Sequence, residues 1–321
     1  MVNKVTVMET DNGGEFENLP EGCIANVLSF TTPHDACILS LVSSTFRSAA
    51  QSDVVWDRFL PSDYLAIISQ SSAPLTFSSK KHLYLQLCQN PLLIDSGKKS
   101  FALDKPNGKK CYMLSARNLF IVWGDTPRYW RWTSVPTARF SEVAELVSVC
   151  WLEIKGRIKT HMLSPNTLYG AYLVYKQSDA GVYGFENQPF EVCVGVAGEG
   201  EGEGQKRTVY LEAERPRRPR QHIVPRRTRI FNLVRSRLLN TFDAAAAAAV
   251  PSHVEESVDS SRPGVEYPMK REDGWWEVEL GEFFNGGGGE DKEVEMGVYE
   301  VKSGEWKGGI VVQGFEIRPK R

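Results

Sequence analysis

CYMLSARNLFIVW, residues 111–123, is where the chain changes texture. Before it, apolar residues recur at helical spacing. From it onward, short runs rich in Val, Ile, Tyr, Phe and Trp are bounded by Gly, Pro, Asn or Ser, which is the pattern of strands. ELVSVCWLEIKGRIKT, TLYGAYLVYK, WWEVELGEFF, EVEMGVYEVK and GIVVQGFEIRP carry it to residue 319. Many short strands with no long helical pattern between them predict a β-sandwich or jelly-roll rather than a doubly wound sheet. The same run leads into WGDTPRYWRW, 123–132, which holds three of the eight tryptophans. Trp123 shares strand parity with Leu119 and Ile121, as a core residue does, yet the stretch is also rich enough in aromatics to grip a ligand.

On the N-terminal side, residues 15–60 read as short amphipathic helices. Asn18 followed by Glu21 resembles a capping box, and Ile24, Val27 and Leu28 recur at i, i+3, i+4. In TTPHDACILSLVSSTF, Thr32 suits the cap, Pro33 the first helical position and Asp35 the third, with Leu39, Val42 and Phe46 as the apolar stripe. A further helix is predicted over SDVVWDRFL. A helical unit this small buries little apolar surface, so any apolar face left over is a docking face. Residues 63–110 read as a connector with a helix over Lys80–Cys88, punctuated by Pro74, Pro91 and Pro106.

The chain is 321 residues long, 41% hydrophobic, with a net charge of −2. That length predicts about two domains, and the charge balance argues neither for a nucleic-acid binder nor for a membrane-surface protein, so any charge argument is local. No run reaches the roughly 18 apolar residues of a membrane helix, and the opening MVNKVTVMETDNGGEF carries no apolar leader segment. Residues 1–14 are expected to be disordered. Six cysteines without a C-x-x-C pair read as reduced, mostly buried thiols, not a disulfide frame or metal site. Between about 197 and 262 the composition is biased (AGEGEGEGQKR, RPRRPRQHIVPRRTR, DAAAAAAV), and a long disordered insertion between two strands is expected. Its arginine block at 215–229 reads as a nuclear-import signal, a weak phosphate-binding segment or a solvated disordered loop, and nucleus and cytoplasm are the expected compartments.

Catalytic patterns are absent from the sequence. GEGEGEG lacks the Lys-Ser/Thr of a phosphate loop, no G-x-S-x-G or H-E-x-x-H occurs, and the five histidines are scattered. No enzyme activity, cofactor or metal is expected. Binding chemistry fits better, because a sugar needs aromatic faces for its C–H surface and carboxylates or amides for its hydroxyls. WGDTPRYWRW supplies the first, and Glu293, Glu295 and Glu300 of EVEMGVYE the second; Trp132, Trp151, Trp275 and Trp276 read as core or core edge.

Leu19-Pro20, the helix over DACILSLVSS, the run FRSAA and the closing SDVVWDRFLP together resemble the F-box over residues 15–62, in the version carried by plant F-box proteins of the phloem protein 2 type. The resemblance implies docking to the Skp-type adaptor of a cullin ubiquitin ligase through Leu19, Pro20, Ile24, Leu28 and Val42. YMLSARNLFIVWGDTPRYWRW, EVAELVSVCWLEIKGRI, YGAYLVYK, DGWWEVELGEFF and WKGGIVVQGFEIRP are similar, in order, to the phloem protein 2 domain shared with Nictaba-type plant lectins, over 111–196 and 263–321. That implies a β-sandwich binding N-acetylglucosamine oligomers or N-glycan cores, with Trp123, Trp130, Glu293 and Glu300 as contacts. The expected architecture is α+β and multidomain: F-box helices at 15–62, a helical connector at 63–110 and an all-β lectin-like domain at 111–321. The expected role is a non-catalytic adaptor that selects ubiquitination targets by their glycans. The alternatives are the same adaptor recognising a protein surface, and a stand-alone carbohydrate-binding protein.

Overall fold

The structure, a computed structural model, describes residues 19–71, 73–186, 188–196, 206–212, 265–287 and 291–320. Residues 1–14, most of the stretch at 197–262, the arginine block and Asn18 of the expected capping box lie outside the described residues. No helix among the described residues is long and apolar enough to cross a membrane.

The first helix, α1 (Glu21–Leu28), begins after Pro20 with no side-chain cap. At α2 (Pro33–Leu39) the expected start is present: the Thr32 hydroxyl accepts the Asp35 amide, and Pro33 opens the first turn. Ser43 caps α3 (Ser44–Ala49) by accepting the Phe46 amide. The stripe Leu39, Val42, Phe46 expected on one helix is therefore split, because this second cap starts a new helix and leaves Val42 in the turn between them. There follow α4 (Asp53–Phe59), α5 (Tyr64–Ile68) and α6 (Lys80–Gln89), the last capped by Ser79 and lying where the connector helix was expected.

Fifteen strands are described: β1 (Leu92–Ile94), β2 (Lys99–Leu103), β3 (Lys110–Ser115), β4 (Phe120–Ile121), β5 (Trp130–Thr133), β6 (Val143–Leu146), β7 (Leu152–Lys159), β8 (Thr167–Gln177), β9 (Phe190–Val196), β10 (Arg207–Val209), β11 (Val265–Glu266), β12 (Met269–Lys270), β13 (Trp276–Asn285), β14 (Glu293–Glu300) and β15 (Ile310–Pro319). One sheet runs β1-β2-β3-β15-β8-β13-β12, with β6 also on β15 and β5 on β6; the other runs β11-β10-β9-β14-β7-β4. All pairings are antiparallel except β10 with β11. Two of these strands, β1 and β2, fall in the stretch read as a connector. Asp95, Ser96 and Gly97 all take positive φ, turning the chain tightly enough for Ile94 to pair with Lys99. Strand β10 likewise falls inside the stretch read as a disordered insertion.

Alternation along β7 shows how the sheets face each other. Leu152, Ile154, Gly156 and Ile158 point inward and are buried. A Cβ on Gly156 would stand 2.8 Å from the Phe315 ring of β15, so glycine sets the close approach of the two layers. Short helices followed by an antiparallel β-sandwich are the α+β architecture read from the sequence.

The helices are not a separate unit, for one apolar cluster runs from Ile24 to Ile317. Trp56, wholly buried, joins its two parts: the indole N–H donates to Ala50 O at 2.8 Å, and the ring meets Phe59 edge-on at 5.5 Å and Tyr84 of α6 at 5.2 Å. Tyr84 in turn donates to Lys105 O at 2.9 Å on the β2–β3 turn. In that turn Gly108 takes φ +70°, and a Cβ there would stand 2.8 Å from Phe59 O. Lys110 of β3 completes the junction with an ion pair to Asp63 at 2.7 Å. Replacing Trp56 by alanine is expected to cost about 3–5 kcal/mol. Chemical denaturation should show one cooperative transition moved to lower denaturant; separate transitions for helices and sandwich in the unaltered chain would contradict a shared core.

Candidate functional site

Strand β4 ends at Ile121, although Val122 N–H still donates to Glu153 O at 3.1 Å. The backbone then turns. Trp123 takes φ +57°, Gly124 N–H returns to Ile121 O at 2.9 Å, and Thr126 N–H to Trp123 O at 2.9 Å. A bulky side chain in the left-handed region is uncommon, costs about 1–3 kcal/mol and recurs at functional sites. Here it ends the alternation that would have sent Trp123 inward. The indole is 43% exposed and leans on Tyr129 at 5.0 Å. Trp132 braces the same loop by donating to Gly124 O at 3.0 Å, with Arg117 stacked 3.6 Å over its ring.

Trp130, expected beside Trp123 as a second platform, is 2% exposed in β5 and belongs to the core, so it has no ring face to offer a ligand. Glu300 is 4% exposed and ion-paired with Lys307, which is wholly buried. Burial by itself would raise the Glu300 carboxyl, but hydrogen bonds from Lys307 and Ser303 prevail and hold it below its ordinary 4.5. Glu293 is elsewhere. Seven residues at about 3.4 Å each separate it from Glu300 by roughly 24 Å, and an odd spacing on one strand puts the two on opposite faces. The structure therefore gathers Trp123, Trp130 and Glu300 at one end of the sandwich and leaves Glu293 at the other, beside Arg157.

That end carries aromatics the sequence reading left out. Trp151, read as core edge, is 43% exposed, and Trp306 and Tyr183 are exposed as well. Their backbones are laced together: Val149 and Lys307 exchange bonds at 2.9 Å, Tyr183 pairs with Gly308, and the Tyr183 hydroxyl reaches Ser148 Oγ at 2.7 Å. Trp151 donates to Glu153 Oε2 at 3.0 Å. Lys155 hydrogen-bonds Glu153 and keeps that carboxyl below its usual range. The signal for Trp151 was present in WLEIKGRIK: with Leu152, Ile154 and Ile158 inward, Trp151, Glu153 and Lys155 share the outward parity. Exposed rings beside ionised carboxylates are the groups that take the apolar face and the hydroxyls of a sugar.

The helical end presents a different surface. Ile24 and Leu28, expected to dock a partner, are 1% and 0% exposed, because they face α3 and α4 and supply the small core of the helices. The next turn faces outward instead: Leu19, Pro20 and Val27, then Phe30, Ile38, Leu41 and Val42, are exposed. Cys23 and Cys37 lie exposed among them, against the expectation of mostly buried thiols. So many large apolar side chains within 24 residues mark a surface built to be covered.

The phloem protein 2 family matches residues 109–319, and the F-box domain matches residues 16–58. The chain is similar to the F-box protein PP2-B1 of Arabidopsis thaliana, 43% identical over 319 residues that cover 95% of this chain and 90% of the relative. Similarity to the F-box protein PP2-B10 of the same plant is 43% over 307 residues, covering 95% and 94%. The F-box protein PP2-B15 is 43% identical over 305 residues, covering 94% and 96%.

Proposed function

The chain belongs to the family of plant F-box proteins that carry a phloem protein 2 domain, and from that premise we propose that it is a non-catalytic adaptor of a Skp–cullin ubiquitin ligase that selects glycosylated targets. The observation that carries this reading is the exposed apolar face at Leu19, Val27, Ile38, Leu41 and Val42 on helices whose own core is already filled by Ile24 and Leu28. A Skp-type adaptor is the proposed cover for it. Because helices and sandwich share one core, a target held at the far end keeps a defined position relative to the ligase. Holding it there raises its effective concentration beside the conjugating enzyme, and no chemistry is asked of this chain.

For the target we propose an N-acetylglucosamine-containing glycan, with Trp123 as the ring platform and Trp151 and Glu153 beside it. Trp130 supports this loop from below. A shallow, open site of this kind suits a Kd on the order of micromolar, about −8 kcal/mol. In calorimetric titration of the full chain with N-acetylglucosamine trimer, Trp123→Ala is expected to weaken binding by roughly 5–30-fold, the loss of about 1–2 kcal/mol of stacking surface. The unfolding midpoint of the variant serves as the control. No saturable heat from the folded wild type would leave the exposed rings to a protein target, a second reading supported by the burial of Trp130 and the remoteness of Glu293.

A further inference from the structure

Where the helices meet the sandwich, a cleft of about 420 Å³ opens, within the range of small-molecule sites. The turn between α1 and α2, the end of α4, the β2–β3 turn and the loop after β7 form its walls. Trp151 precedes β7 and Ser164 follows it, so the cleft lies at the opposite end of the sandwich from the Trp123 rim. Its chemistry is one-sided. Arg58 and Lys109 line it, no aspartate or glutamate does, and among the described residues neither of these cations has a carboxylate partner. Lys110 lines it too, but Asp63 at 2.7 Å cancels that charge. Arg58 lies 5.8 Å over the Phe30 ring, a contact that takes up none of its N–H groups.

Contact between their chain neighbours fixes the two cations on one cleft. Gly108 comes so close to Phe59 O that no Cβ fits, which seats Lys109 beside the last turn of α4, where Arg58 stands. The turn is held from both sides: Asn107 Oδ1 accepts the Lys109 amide at 2.8 Å, and Ser164 Oγ accepts the Lys110 amide at 3.0 Å. Both bonds use the side chain as acceptor, so the Asn107 amide N–H and the Ser164 hydroxyl proton are left to donate. The cleft therefore gathers donors around two positive charges before any ligand arrives. A phosphate monoester, with about −1.5 to −2 charge and three acceptor oxygens, matches that set in both charge and hydrogen-bond sense. A guanidinium adds a planar fork suited to phosphate oxygens. The mouth is wide, with Phe30 on its rim 74% exposed, which fits a phosphate carried on a peptide better than an enclosed metabolite.

We infer that this cleft binds phosphorylated serine or threonine in a segment of a partner protein, independently of any sugar at the other end. In calorimetry with the full chain, an end-blocked alanine pentapeptide carrying phosphoserine at its centre is expected to bind with a Kd on the order of 100 μM, and its unphosphorylated form at least about thirtyfold more weakly. Arg58→Gln and Lys109→Gln should each weaken the phosphopeptide by roughly tenfold, the loss of a hydrogen bond to a charged group. Their unfolding midpoints should match that of the unaltered chain, since neither side chain gives up an ion pair. Lys98→Gln, at an exposed residue of the β1–β2 turn, removes the same charge away from the cleft and should bind the peptide like the unaltered chain. Equal binding of the two peptides, losses no larger than that from Lys98→Gln, or no saturable binding of the phosphopeptide overturns the site. Inorganic phosphate that binds as tightly as the phosphopeptide overturns the peptide as its occupant.

Discussion

On the proposed adaptor reading, Leu41→Asp with Val42→Asp is expected to weaken binding to a Skp-type adaptor by roughly a hundredfold or more, with thermal unfolding unchanged. The two side chains are 76% and 67% exposed in the free protein, so the folded state loses little when they change. In the complex they would be covered, and a carboxylate taken out of water without a partner opposes docking by several kcal/mol. Affinity measured with purified adaptor, beside melting of each protein alone, separates the two effects. Binding like that of the unaltered chain would remove this face from the adaptor interface. Leu28→Asp is a poorer test. Leu28 is 0% exposed where α1 packs on α3 and α4, so a charge there opens the helical core, and lost binding would report only lost structure.

Lys307→Met is expected to cost about 3–5 kcal/mol, because it leaves the Glu300 carboxylate buried and uncompensated. Lys307 is wholly enclosed, donates to Glu305 O at 2.7 Å and faces Glu300. The Ser303 amide, at 3.0 Å from Glu300 Oε1, does not neutralise the charge. Acid titration gives the sign. With its folded carboxyl held below 4.5, Glu300 contributes stability in full above that pH, and the contribution is lost as pH falls through the lowered value. In the variant the lone carboxylate is relieved by protonation, so the gap in melting temperature between the two proteins should narrow in acid. A gap constant across the acid range would mean that Lys307 acts through packing alone. The same geometry makes Glu300 a poor choice for probing sugar contact, since its removal would disturb the end of the sandwich before any ligand arrived.

Much of the molecule is legible in short windows of sequence. Thr32 with Pro33 and Asp35 starts α2 as read, the helix over Lys80–Cys88 is present, and the runs from 111 to 319 are strands. Two signals were available and went unused: the alternation that turns Trp151 outward, and the odd spacing that separates Glu293 from Glu300. Others were not available locally. Nothing near Trp123 in the chain announces a positive φ, which is held by bonds from Gly124, from Thr126 and to Glu153 thirty residues away. Strands β1 and β2 look like a loop until β3 and β15 provide an edge to extend.

The sequence by itself determined most of the helices and the strands from 111 onward outside the 197–262 stretch, the order of the two modules and the supply of aromatic and acidic groups, because caps, turns and periodicity act within a few residues. Only the tertiary structure decided which of those groups are offered to a partner. Ile24 and Leu28 went inward and Leu41 and Val42 outward, Trp130 was buried and Trp123 and Trp151 were exposed, and Glu300 was spent on Lys307. Exposure is the remainder left after contacts between distant segments have formed, and those contacts are set by the whole fold.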